Sequence, residues 1–185
     1  DISIGAMIPA GSMTVAILSG FYGLPIWVGM LGSIVVGITV GLINGILVVR
    51  TAVPSLIVTL GMLFAVQGLT LGFSVLLTGT TSVPLTAAPW AKAIFGQFIG
   101  GSFQVIILWW LAITAIYIFF IHHSPYGNWI FAMGGDKVSA RNAGIPTNRL
   151  TVMLFVLSST SAAFVGMCQA ILFNSAQVSG GMIFI

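Results

Sequence analysis

The sequence predicts an all-α, polytopic membrane bundle with about five spans, at about 20 apolar residues per transmembrane helix. Three observations carry this prediction. Only 4% of the 185 residues are charged, against about 25% in a soluble domain. Apolar residues make up 58%, more than a chain of this length can hide from water. They also fall in runs long enough to cross a bilayer. Five basic and two acidic residues cannot furnish a water-soluble surface, a nucleic-acid interface or a disordered polyelectrolyte.

The first span, Ile2–Ser19, is the weakest, because Pro9, Gly11 and Ser12 interrupt it. Pro9 lacks an N–H and is expected to kink or break the helix there. Ile26–Val49 follows, with Gly29, Ser33, Gly37, Gly41 and Gly45 spaced four apart on one ridge. Such ridges let helix backbones approach closely in lipid. Val53–Leu77 is the third run. The fourth, Phe103–Ile121, is bulky, with Trp109, Trp110, Tyr117, Phe119 and Phe120, and reads as a peripheral, lipid-facing helix. Its two tryptophans lie nearer the middle than interfacial belts predict. Thr151–Phe173 repeats the small-residue device with Ser158, Ala162, Gly166 and Ala170, Asn174 being the next step.

The loops set the direction. Arg50, Lys137, Arg141 and Arg149 fall in one set of connections and Lys92 alone in the other. Basic residues favour the cytoplasmic side, which places Arg50 and residues 122–150 inside and residues 78–102 outside. The chain is read as a single transmembrane domain over 1–185. It opens and closes in apolar stretches, as expected of an internal piece of a longer protein.

Chemistry-bearing residues are few. Cys168 lies in an apolar run and reads as a buried, inert thiol. His122 and His123 are adjacent and do not share a helix face, so they read as interfacial anchors and no metal site is expected. No ionisable side chain lies well inside a span. The candidates for a translocation path are therefore uncharged: Asn44, Thr59, Gln67, Ser158, Ser161 and Gln169, with Ser159 and Thr160 beside them. Hydroxyls can bond their own helix. Asn44 and Gln67 need either an interhelical partner or a wet cavity.

In the inner loop, Gly134-Gly135-Asp136 precedes Lys137 through Ala143, and Gly144-Ile145-Pro146 follows. Asp136 is a good N-cap, Gly144 a good residue just past the C-cap and Pro146 a stop. The result is a helix of about two turns, too short to be stable alone. It has to rest on lipid heads or on a partner protein.

Four stretches then resemble a known family: Asp1-Ile2-Ser3-Ile4-Gly5; Gly41 through Val48 with its Gly-Ile-Leu-Val end; Val53-Pro54 through Leu60-Gly61; and Tyr126-Gly127 through Gly134-Gly135 with Ala140-Arg141 and Gly144-Ile145. Together they resemble the permease subunit of bacterial ATP-binding-cassette sugar importers of the ribose type. The resemblance implies that Gly134, Gly135, Asp136, Lys137, Ala140, Arg141 and Gly144 form the region coupled to a separate cytoplasmic ATPase. Asp136, Val138 and Asn142 depart from the family's usual residues. It also implies a sugar-binding protein on the outer face, a second permease copy and the bacterial inner membrane as the location.

No G-x-x-x-x-G-K-[ST] phosphate loop is present, so this chain is expected to bind no cofactor, to be no enzyme, and to draw on ATP used by its partner. The scarcity of intramembrane charge points to a neutral cargo. In the outer loop, Trp90, Ile94, Phe95 and Phe98 are expected to share one face of a short helix, set against the binding protein or the membrane interface. Two alternatives are a permease for hydrophobic amino acids or nucleosides and a sodium-coupled secondary transporter. A third is a structural membrane subunit.

Overall fold

The computed structural model describes residues 1–180. Among the described residues, five helices are long and apolar enough to span a bilayer. The first is α1 (Ile4–Val15), continued by a π-helical turn over Ala16–Phe21. Next come α2 (Ile26–Arg50) and α3 (Ser55–Thr78). A short strand β1 (Ser82–Pro84), helix α4 (Pro89–Phe95), and strands β2 (Phe98–Ile99) and β3 (Phe103–Gln104) form the next connection. The fourth span is α5 (Ile106–His123). Helices α6 (Pro125–Gly135) and α7 (Lys137–Asn142) lead to the last span, α8 (Thr147–Phe173), and to strand β4 (Ser175–Gln177).

The helix does not break at Pro9. It runs through the proline, and the irregularity falls later, where Tyr22 N–H reaches back to the Ile17 carbonyl. That wider turn brings Gly20 against the Pro84 carbonyl of β1, where a Cβ would collide.

The core is α1, α2 and α8. A Cβ on Gly41 would stand 2.6 Å from Val156 Cα, one on Gly37 2.8 Å from Thr160 Cα, and one on Gly45 2.7 Å from Val152 Cα. The α2 ridge therefore lies backbone to backbone on α8, running antiparallel to it. Ser33 belongs to the same ridge and donates to the Ala163 carbonyl at 3.1 Å. Gly29, one step further, meets the π-helical turn at Ser19 instead. On α8, Gly166 faces the Ile8 carbonyl of α1, and Ala162 and Ala170 are buried. Lipid offers no hydrophobic drive between helices, so close contact of this kind supplies the packing energy.

α5 buries no residue fully, as a peripheral helix should. It begins later than expected, because Phe103 and Gln104 pair with Ile99 and Phe98 in a small ribbon. Trp109 has a clear role. Its ring stacks on Phe95 with centroids 5.2 Å apart, and its indole N–H donates to the Ile94 carbonyl at 2.9 Å. It fixes α4 to the bundle. The four apolar residues of that region do not share a face: Phe95 points inward, beside the buried Ala91, Trp90 and Ile94 point outward, and Phe98 sits in β2.

β1 pairs antiparallel with β4, Val83 opposite Ala176. Residues 78–105 and 174–180 therefore gather at one end, where Lys92 Nζ reaches Asn174 Oδ1 at 3.4 Å. Arg50 and Arg149 line one crevice at the other end. This is the partition that alternating spans require.

Candidate functional site

Polar residues of the spans fall into three places. The first is a hydrogen-bonded cluster where the non-helical residues before α1 meet α2, α3 and α8. Asn44 Nδ2 donates to Ser3 Oγ at 3.0 Å, and Ser3 Oγ donates to Asp1 Oδ1 at 2.6 Å. Ile2 N–H donates to Thr59 Oγ1 at 3.2 Å, and Ser159 Oγ to Asp1 Oδ2 at 3.2 Å. Asn44, Ser3 and Ser159 are fully buried, and Thr59 nearly so. Asp1 itself is exposed and lies outside the spans, before α1. Asn44 Oδ1 has no partner.

The second place is the α5 side of α8. Ser161 Oγ bonds Tyr117 Oη at 2.5 Å. Ser158 lines an inner crevice of about 260 Å³ with Asp1, Met133 and Phe155. Gln67 is half-buried on α3 and joins neither group.

The third place is an outer cavity of about 350 Å³, where Gln169 stands with Pro9, Ser12, Phe173, Ser175 and Gln177. A second void of about 320 Å³ between α1, α2 and α3 is lined by carbon. Its two threonines, Thr14 and Thr70, both turn their hydroxyls back to their own helices, at 2.7 Å from Ala10 O and 2.7 Å from Val66 O. It suits an acyl chain better than a polar solute.

At the inner end the capped helix is in place. Asp136 accepts from Val138 N–H at 3.0 Å, Ser139 N–H at 3.2 Å and Ser139 Oγ at 2.5 Å. The Ser139 hydroxyl, then the two amides, hold its carboxyl below the usual aspartate range. Gly144 has φ +85°, Ile145 N–H reaches the Ala140 carbonyl and Gly144 N–H the Arg141 carbonyl, a Schellman end. Ala140 is buried, whereas Lys137 and Arg141 are exposed. The helix is not isolated. α6 fills the loop before it, and Gly134 and Gly135 form the end of α6. Gly127 makes the turn from α5 possible, because a Cβ there would collide with the Ile121 carbonyl. Arg141 Nη2 donates to Asn148 Oδ1 at 3.0 Å, and its Nε to Thr147 Oγ1 at 3.5 Å.

Across residues 1–185 the chain matches the family model described as branched-chain amino acid transport system / permease component. It is similar to the inner membrane ABC transporter permease protein YjfF of Escherichia coli K12, 28% identical over 188 residues, covering 98% of this chain and 54% of that protein. The ribose import permease protein RbsC of the same organism is 25% identical over 189 residues, covering 98% and 56%. The xylose/arabinose import permease protein XylH of Sulfolobus acidocaldarius is 28% identical over 145 residues, covering 77% and 37%. The chain spans about half the length of the first two relatives. No solved structure matches it significantly.

Proposed function

Because the chain belongs to the family of branched-chain amino acid transport permease components, we propose that it is a membrane-spanning part of an ATP-driven importer of a neutral polar solute, a sugar in the first instance. The sugar reading is supported by its relatives, which are named as import permeases for ribose, xylose/arabinose and fructose. The observation that carries the mechanism is the link from α7 to α8 through Arg141 and Asn148. An ATPase docked on α7 moves the inner end of α8. α8 packs directly on α1 and α2, so the whole core responds.

The reaction on this chain is movement, with ATP hydrolysed by a separate subunit and no cofactor held here. A solute-binding protein approaches the outer end, where β1, β4 and α4 gather. A second permease copy completes the complex in the bacterial inner membrane. Alternating access then consists of rocking α1 against α8, whose contact at Gly166 is smooth enough to slide.

The family description favours a second reading, import of hydrophobic amino acids. Both readings are tested by reconstituting the full-length protein with its ATPase and binding protein in proteoliposomes. ATP-dependent uptake of tritiated D-ribose, D-xylose, L-arabinose or D-fructose supports the first. Uptake of leucine but of none of the sugars supports the second. Uptake driven by a sodium gradient without ATP overturns both.

A further inference from the structure

We propose that the outer cavity is a binding site for a neutral, polyhydroxylated solute, with Gln169 and Gln177 as its hydrogen-bonding arms. The proposal rests on the importer reading and adds where the solute stops within the permease.

The cavity has three walls from separate parts of the chain: Pro9 and Ser12 of α1, Gln169 and Phe173 of α8, and Ser175 and Gln177 of β4. Its volume of about 350 Å³ lies at the small end of the range of about 300–1,000 Å³ for small-molecule sites. No ionisable side chain lines it. A primary amide both donates and accepts, so it matches a hydroxyl in either sense. Among the described residues, neither glutamine side chain makes a hydrogen bond; Gln169 is half-buried and Gln177 exposed, and neither has a fully buried polar atom without a partner. Both amides are thus open to the cavity. Elsewhere in the spans several polar side chains are engaged, Asn44 Nδ2 with Ser3, Thr59 with Ile2 and Ser161 with Tyr117, whereas Asn44 Oδ1 and Thr160 Oγ1 are buried without a partner among the described residues.

Ser12 donates to the Pro9 carbonyl at 2.9 Å and keeps its lone pairs free to accept. The exposed ring of Phe173 offers an apolar face for the C–H side of a sugar. Inward, the way is shut. Gly166 lies so close to the Ile8 carbonyl that not even a Cβ fits between α1 and α8. The cavity is therefore a dead end below its glutamines, as an outward-facing site must be before the helices part. The β4 wall is held by its pairing to β1, Ser82 opposite Gln177, and by Ala176, which is buried in the core.

The test uses the full-length protein with its ATPase and binding protein in proteoliposomes, and tritiated D-ribose, D-xylose, L-arabinose and D-fructose as probes. Gln169→Met and Gln177→Met keep the side-chain length and remove the amide. Each is expected to cut uptake about tenfold or more, since a site built to bond hydroxyls loses strongly when a partner is removed. ATPase activity stimulated by the loaded binding protein is expected to stay within about twofold, which separates loss of the site from loss of assembly. Uptake like wild type in both variants overturns the cavity assignment and leaves the importer reading standing. An equal loss in Gln67→Met, outside the cavity, also overturns it. A second measurement does not depend on transport. Cys168 is the only cysteine of the 185 residues and is buried, so Gln177→Cys, made in a full-length protein with any cysteine outside these residues replaced by serine, gives one reactive thiol. Saturating sugar is expected to slow its labelling from the outside severalfold, and an unchanged rate overturns the assignment. A wild-type complex that imports none of the four sugars overturns the importer reading and the cavity assignment together.

Discussion

Arg141 Nη2 and Asn148 Oδ1 stand 3.0 Å apart, and this bond, with the longer one from Arg141 Nε to Thr147 Oγ1, joins the short inner helix α7 to the first turn of the central span α8. Arg141 is exposed, so the bond adds little to stability; exposed pairs are worth about 0–1 kcal/mol. Its effect is positional. Arg141→Glu is expected to lower ATP-driven uptake about tenfold or more while insertion and the melting temperature stay near wild type. Asn148→Asp, which turns the charge-assisted bond into an ion pair, is expected to keep uptake. Proteoliposome uptake measured beside ATPase activity checks both, and unchanged uptake in Arg141→Glu would remove α7 from the drive.

Gly41 separates packing from propensity. A Cβ there would meet Val156 Cα at 2.6 Å and the Phe155 carbonyl at 2.7 Å, both backbone, so neither can swing aside. Gly41→Ala must push α2 off α8, and overpacking of this kind costs about 1–3 kcal/mol. Gly61 on α3 has nothing within 4 Å. Gly61→Ala is expected to be neutral or to gain up to about 1 kcal/mol from helix propensity. Thermal unfolding in detergent distinguishes the two, and a Gly41→Ala protein as stable as wild type would show that α2 and α8 are looser than the geometry states.

How much of this was legible in the sequence follows from the range of each interaction. The α2 ridge from Gly29 to Gly45 was readable because close helix approach leaves a strict period in the chain. The caps at Asp136 and Gly144 were readable because they act within a few residues. α6 was not read as a helix: residues 126–135 showed only as part of the inner loop, and it takes the fold to show that Gly127 lets α6 turn against Ile121. Trp109 reads as nearer the middle of its span only because the sequence does not reveal that α5 starts at Ile106, which leaves this residue in the first turn, against α4. Asn44 and Thr59 could be named as candidates, but their partners Ser3 and Ile2 lie far away in sequence. A glutamine such as Gln169 looks the same in sequence whether it faces a cavity or a helix.

The Asn44–Ser3 bond makes a quantitative prediction. Both residues are fully buried, and in water a deleted partner at such a site costs about 1–3 kcal/mol. Within membranes interhelical side-chain bonds average nearer about 0.6 kcal/mol, and Asn44 Oδ1 already lacks a partner. Asn44→Ala, Ser3→Ala and the double variant are therefore expected to show a coupling of about 0.6 kcal/mol, below about 2, in reversible unfolding from mixed micelles. Strictly additive effects would mean that the two side chains do not act as a pair.

Asp136 gives a pH dependence with a definite sign. Its carboxylate accepts from Ser139 Oγ and from the amides of Val138 and Ser139, which lowers its pKa in the folded protein. A lowered pKa means that the folded state binds the proton less readily than the unfolded one. The cap's contribution is thus fully present above the ordinary aspartate value and is lost as pH falls through the lowered one. Between neutral pH and pH about 5 the α7 cap is expected to be unchanged, since ordinary aspartate titrates near about 3.9. Below that value the Val138 and Ser139 amide resonances should move together as the carboxylate protonates. Asp136→Asn keeps an acceptor at the cap and is expected to abolish this titration while leaving α7 folded at neutral pH. Amide shifts followed by NMR across the acid range provide the measurement. A titration of those amides at or above the ordinary aspartate value would contradict the cap as drawn here.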